Sequence, residues 1–333
     1  MEQFLIGQVA WAVQPGSNPF NRSTRLVSSL QAIGVLDPNC TFYHHGRTAK
    51  SAESKRVRSI YPALPERASG ALAVLSPVFQ LGNLHGPPAW RDYYDDWSLA
   101  PDINAVHRAY SSHSYRGARK SSSGLITVNS AYMAGKLRLS ERSIIPNGVD
   151  KALGEHPSTG DSARRLILLG HFFAGRTDLK LLREVVDAGE FDEVVIGGLR
   201  ESNPLYEEFL SCVAKCPEKK IVSHLCLDEL PSIIGERTVA LIPNAVSDYT
   251  VSQDPMKLYI FLALGLNVIV PLQLVPHSIP IENIYLVGPG SGLGGGLKDW
   301  IDRAERTDLI QRKKFAAENS WQTRAEAIAD RLV

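Results

Sequence analysis

Short apolar runs alternate with longer amphipathic stretches along almost the whole chain. The short runs predict strands at 4–13, 41–44, 57–61, 72–75, 90–94 and 125–128 in the first half. In the second half they predict strands at 165–169, 193–196, 221–224, 239–243, 268–270 and 284–287. Between them, apolar positions recur at helical spacing. That predicts helices at 21–33, 103–120, 131–139, 178–188, 204–215, 229–234, 256–264, 297–306, 308–319 and 322–332. Strands separated by helices pair in parallel through right-handed crossovers. The polar stretch 151–162, bearing Gly, Pro and Ser, divides the chain into two α/β domains. The expected bounds are 1–150 and 151–310, with terminal helices over 311–333. Ligands in such sheets bind beyond the carboxyl ends of the strands.

The stretch from Asp254 to Pro271 is the most informative. It reads as a polar loop, a helix opened by Pro255, a stop at Gly265 and a buried strand through Val268, Ile269 and Val270. Proline fits the first helical turn, where its missing N–H costs nothing. Glycine supplies the left-handed backbone that ends a helix. The free N–H groups at such a helix start, with Lys257 in the first turn, suit a phosphate.

Composition narrows the classes. Of 333 residues, 44% are hydrophobic and 21% charged, as in an ordinary globular protein. No apolar run is long enough to span a bilayer. The start of the chain lacks the basic region and long apolar core of a secretory signal. A cytoplasmic protein is expected. Cys40, Cys212, Cys216 and Cys226 are scattered and expected to be reduced; a zinc site would need a second, properly spaced ligand pair. Residues 1–150 hold 16 Lys+Arg against 10 Asp+Glu, a net +6, and the remainder 20 against 25, a net −5. A basic half can face anionic lipid, an acidic acceptor or nucleic acid. Its basic residues are dispersed, densest at Arg47, Lys50, Lys55, Arg56 and Arg58, and no nucleic-acid module is present, so no nucleic-acid partner is expected. The glycine-rich run from Gly288 to Gly296 lacks the Lys-Ser/Thr of a phosphate loop. His44 and His45 point to opposite faces of a strand and make a poor metal site.

Several stretches carry chemistry. Ser143-Ile144-Ile145-Pro146-Asn147-Gly148-Val149-Asp150 is a strand running into a tight Asn-Gly turn. Leu168-Leu169-Gly170-His171 ends a strand and is followed by Arg176, Asp178 and Lys180. Arg176 can grip a phosphate bidentately, though it also fits a surface loop. His171 donates one bond per nitrogen and equally fits a capping or core position. Asp92-Tyr93-Tyr94-Asp95-Asp96-Trp97 and Val128-Asn129-Ser130 each end a strand. Near the end stand Glu318-Asn319-Ser320-Trp321 and Arg324, with Trp321 read as a packing anchor.

Taken in order, these stretches and the 254–271 segment resemble bacterial family-four glycosyltransferases of polysaccharide and glycoconjugate biosynthesis. The resemblance implies the GT-B fold: two Rossmann-like domains facing a central cleft, with a C-terminal helix crossing back onto the first. It implies a nucleotide-sugar donor, UDP- or GDP-linked, held by Gly170, His171, Arg176, Lys180, Ser252, Asp254, Pro255, Met256, Lys257 and Leu258. Asp95, Asp96 and Arg176 are the implied catalytic residues. Pro15, Gly16, Ser17, Asp95 and Ser130 would meet a glycan or lipid-linked acceptor. The expected activity is a retaining hexosyl transfer without metal or cofactor, with peripheral contact to an anionic membrane, on the inner face of the plasma membrane. His171 stands where relatives have an arginine, and Ile260 where they have the glutamate that binds the nucleotide ribose. That departure keeps open a second reading, a non-catalytic binding or partner protein. Hydrolysis or epimerisation of a nucleotide sugar on the same fold is a third.

Overall fold

The computed structural model describes residues 6–11, 22–44, 57–59, 71–75, 89–121, 123–156, 160–225, 227–288, 293 and 296–332. The chain forms two units. One comprises Met1–Gly148, Ser252–Asp254 and Trp321–Val333; the other comprises Val149–Val251 and Pro255–Ser320.

The first unit is built on strands β1 (Ile6–Trp11), β2 (Leu36–His44), β3 (Val57–Ser59), β4 (Ala71–Leu75), β5 (Trp90–Tyr93) and β6 (Leu125–Val128). They pair in the order β3-β2-β1-β4-β5-β6, all parallel. Its helices are α1 (Arg22–Ala32), α2 (Ala105–Lys120) and α3 (Ala131–Leu137). The last helix of the chain, α11 (Trp321–Leu332), packs on α1. Trp321 is buried there, as expected of an anchor.

The second unit holds β7 (Arg165–Leu169), β8 (Glu193–Gly197), β9 (Glu218–Val222), β10 (Thr238–Leu241), β11 (Asn267–Pro271) and β12 (Ile284–Val287). Their order is β12-β11-β10-β7-β8-β9. With strands renumbered from one, both sheets have the same order, the doubly wound Rossmann arrangement. The connecting helices are α4 (Leu179–Gly189), α5 (Tyr206–Cys212), α6 (Leu230–Ile233), α7 (Asp248–Ser252), α8 (Met256–Ala263), α9 (Leu297–Arg303) and α10 (Leu309–Glu318). The central strands β7, β10 and β11 are buried on both faces, which is why they read as continuous apolar runs. Gly265 ends α8 with φ +76°, as its role in the sequence predicts.

Three elements differ from expectation. Strand β9 begins at Glu218, before the apolar residues that predicted it, because only one of its edges is paired and its Glu-Lys-Lys start faces solvent. Strand β2 begins at Leu36, through an Asp-Pro-Asn run that reads as a turn. The β1–β2 register slips there, from Ile6↔Leu36 to Gln8↔Thr41, so the extra residues bulge out of the ladder. The terminal helices, expected to act together, divide at Ser320. Helix α10 packs on α8 and on the 3-10 turn Lys151–Glu155 in the second unit. Gly154 admits this contact: a Cβ there would meet Ala316 Cβ and the Arg312 carbonyl at 2.9 Å.

Candidate functional site

In the second unit, paired residues Leu169, Gly197 and Val222 end three neighbouring strands. The chain then continues into Gly170-His171, Gly198-Leu199-Arg200 and Ser223-His224. Two glycines make these turns possible. Gly170 has φ +132° and Gly198 φ +92°. A Cβ on Gly198 would run into the Gly170 carbonyl, and one on Gly170 into the Lys257 ammonium. The first turn of α8 therefore lays Lys257 directly over the end of β7. The same ammonium lies 5.6 Å from the Phe172 ring centroid. Burial pushes its pKa down to about 8. No side chain caps the start of α8 at Pro255.

His171 senses this setting. Burial lowers its pKa, and Lys257, Arg200 and His224 lower it further. Among the described residues, no ion pair joins His171, Arg200, His224 or Lys257 to a carboxylate. Arg176 sits nearby in the same loop as His171, stacked between Phe173 and Tyr249 with its guanidinium 4.8 and 4.5 Å from the ring centroids. That loop is fixed by backbone bonds from Asp178 to the Pro243 carbonyl (2.8 Å) and from Ala245 to the Arg176 carbonyl (2.8 Å). An anion has reason to enter here: Lys257, His171, Arg200 and His224 meet at the carboxyl end of a parallel sheet with no carboxylate paired to them among the described residues.

The first unit treats its charges in the opposite way. Asp92 at the end of β5 takes both Nε (2.8 Å) and Nη2 (3.0 Å) of Arg22, and a bond from Thr127 Oγ1 (2.6 Å). Arg22 also donates to Asn147 Oδ1 (3.2 Å). Asp96 has 0% exposure and forms an ion pair with Lys136, while Ser98 Oγ donates to it at 2.6 Å. Asp95, in the left-handed region at φ +56°, accepts from Asn129 Nδ2 (2.9 Å) and Gln253 Nε2 (3.0 Å). The segment Ser252–Asp254 is stitched in at every residue. Ser252 Oγ accepts from the Asp96 N–H (2.8 Å), and its carbonyl accepts from Ser130 Oγ (2.7 Å). The Asp254 carboxylate accepts from the Asn147 N–H, and the Asp254 carbonyl from Asn147 Nδ2 (2.6 Å). Arg324 Nε of α11 donates to the Asn147 carbonyl (3.2 Å).

No protein-family model matches the chain, and no curated protein matches it by sequence. Solved structures do match by shape. The Anabaena protein Alr3699/HepE, in complex with UDP and glucose, shares 11% identity with a TM-score of 0.64, over 98% of this chain and 99% of its own. AviGT4, a glycosyltransferase involved in avilamycin A biosynthesis, shares 13% at 0.60, over 98% and 96%. The lipopolysaccharide outer core galactosyltransferase WaaB, in its apo form, shares 12% at 0.57, over 97% and 99%. The fold is GT-B.

Within this GT-B chain the anticipated residues separate into groups. Gly170, His171, Pro255, Met256 and Lys257 come together at the end of β7 or the start of α8, with Arg176 in the adjoining loop. Leu258 is fully buried, so only its backbone is available to a ligand. Lys180 is not with them: its side chain is 83% exposed on α4 and pairs with Glu184 at 3.6 Å. Ser252 and Asp254, expected beside a donor, are instead bound to residues of the first unit. Asp95 and Asp96, expected as catalytic groups, have oxygens engaged by Asn129, Gln253, Lys136 and Ser98. Ser130 caps α3, accepting from Met133 N–H (3.3 Å), while its hydroxyl proton goes to Ser252. Pro15, Gly16 and Ser17 lie outside the described residues, as do Cys226, His45, the basic residues Arg47, Lys50, Lys55 and Arg56, and most of the glycine run 289–295. Ile260, 2% exposed, is buried in α8 among Leu258, Tyr259, Phe261 and Leu262.

Arg200 and His224 were not singled out from the sequence. Their only signal there is position: Arg200 follows the end of β8, the neighbour of the strand that leads into His171, and His224 follows the end of β9, one strand further out. Among the described residues no three His, Cys, Asp or Glu side chains cluster to hold a metal ion, and no helix is long and apolar enough to cross a membrane.

Proposed function

We propose that this protein is a glycosyltransferase that moves a sugar, a hexose in our reading, from a UDP- or GDP-linked donor to a hydroxyl on a glycan or lipid-linked acceptor. The observation that carries the reading is the convergence of Lys257, His171 and Arg200 beyond β7 and β8, without a carboxylate paired to any of them among the described residues. A diphosphate is the natural occupant of such a place. The likeness of the fold to the Anabaena protein, which is solved with UDP-glucose, supports the same donor class. The second unit then holds the donor and the first the acceptor.

The chemistry follows from charge. As the sugar–phosphate bond breaks, negative charge grows on the leaving diphosphate, and fixed cations stabilise that charge more in the transition state than before it. The Phe173 and Tyr249 rings hold Arg176 at a set height in the adjoining loop. Retention of configuration fits departure of the diphosphate on the face the acceptor attacks, with a phosphate oxygen receiving the acceptor proton. This route needs no carboxylate base, in keeping with the engaged state of Asp95 and Asp96. Assignment to bacterial polysaccharide or glycoconjugate synthesis rests on the sequence resemblance. A calorimetric panel of UDP, GDP, dTDP, CDP and ADP tests the donor site, and sugar transfer dependent on an added acceptor tests the activity.

Ile260 favours a second reading, a nucleotide-binding protein without transfer. Its apolar side chain offers nothing to ribose hydroxyls. Nucleotide binding with no acceptor-dependent turnover of any donor would decide for it.

A further inference from the structure

Among the described residues, the charged groups that act on the His171 imidazole are basic: Lys257 from α8, Arg200 from the turn after β8 and His224 from the turn after β9. Arg176, from its own loop, faces Phe173 and Tyr249. Without a ligand, a further positive charge at this position is opposed by its neighbours, so His171 stays neutral. A bound anion reverses that balance, because an opposite charge within a few ångström favours the protonated ring. The Lys257 ammonium lies against Gly170, the residue before His171, and among the described residues no carboxylate forms an ion pair with either side chain. We propose that the anion site beyond β7, β8 and β9 takes up a proton together with its ligand, at His171, and that Arg200 and His224 are binding residues of that site. The proposal deepens the function proposed above and rests on it only for the identity of the ligand; the proton uptake concerns any oxyanion.

The step balances simply. A proton from solvent adds to the free imidazole nitrogen of His171 as the oxyanion arrives, and it returns to solvent when the anion leaves. Affinity therefore rises as pH falls into the titration range of His171. It falls again on the alkaline side as Lys257 loses its proton near its pKa of about 8.

Sulfate is the probe of choice, because it does not change charge anywhere in the range where histidine and lysine titrate. Two measurements on the full chain suffice, at constant ionic strength made up with chloride. One follows the imidazole signals by NMR across pH with and without sulfate, His171 being assigned from the His171→Asn variant. The other measures the heat of sulfate binding in two buffers of different ionisation enthalpy, which counts protons taken up. The expected result is a rise in the titration midpoint of His171 by about one pH unit. Measured well below the Lys257 pKa of about 8, where that ammonium is already charged, proton uptake should be present in the wild type and absent in His171→Asn, and affinity should weaken by roughly tenfold in Arg200→Gln. Both His171 and Arg200 are exposed, so the two variants are expected to fold. Sulfate binding without proton uptake, or a His171 midpoint that sulfate leaves in place, overturns the inference. Proton-linked sulfate binding that no nucleoside diphosphate displaces would leave the inference standing and remove the donor reading instead.

Discussion

The two units use the same kinds of charged residue to opposite ends. In the first, Arg22 and Lys136 are each matched by a buried carboxylate, Asp92 and Asp96. In the second, Lys257, Arg200 and His171 gather with no carboxylate paired to them among the described residues. A matched pair in the interior is a structural joint. It contributes little net stability, but removal of one partner is costly. Unmatched cations at the ends of parallel strands weaken the empty fold and gain from a ligand. Pairing, more than residue type, separates a brace from a binding site.

The largest effect should come from breaking a joint. Arg22→Met leaves the Asp92 carboxylate buried without its cation, and denaturant unfolding should show a loss of about 3–5 kcal/mol. Arg22→Met combined with Asp92→Leu should recover most of it. If the double variant is as unstable as the single one, the pair is more than a joint.

On the other side of the comparison, Lys257→Met should weaken nucleoside diphosphate binding by roughly ten- to a hundredfold, in line with one charge-assisted bond. Stability should be unchanged or improved. The pH dependence gives an independent handle. The folded pKa of Lys257, about 8, lies below its ordinary 10.5. Between those values the unfolded chain holds a proton that the folded one has lost, so stability from this group rises with pH. That rise should be missing from the Lys257→Met unfolding curves; its persistence would assign it elsewhere.

Gly170→Ala sharpens the same point by geometry. The left-handed φ and the displaced ammonium should cost about 1–3 kcal/mol of stability and weaken anion binding together. The smallest effect belongs to Lys180→Ala. Its exposed pair with Glu184 should yield at most about 0.5 kcal/mol, with no change in nucleotide affinity. A clear loss of affinity would return Lys180 to the site.

The strands that cross both cores were legible because apolar, β-branched runs have few other uses: β7, β10 and β11 are read directly. Helix α8 was legible through its punctuation, Pro255 at one end and Gly265 at the other. The edge strand β9 was read late because an edge need not be apolar. The site was half legible. Gly170 and Lys257 carry local signals, a glycine closing a strand and a lysine in a first turn. Arg200 and His224 carry none, because they belong to the site only through the registers of β8 and β9. The run Asp92-Tyr93-Tyr94-Asp95-Asp96 was legible only in part, for a physical reason. A sequence shows that carboxylates are present, but not that Arg22, Lys136 and Asn129 come from 70, 40 and 34 residues away to occupy them.

The composition of the first unit has a consequence for the order in which the protein is made. Its described strands end at Val128, and its first described helix is α1. Yet α1 packs on α11, the last helix of the chain, and Asn147 awaits Asp254 and Arg324. The half that is synthesised first is the half that is finished last. The continuous stretch ending at Gly148 is therefore an incomplete body, whereas the later-made unit closes on itself as soon as α10 arrives.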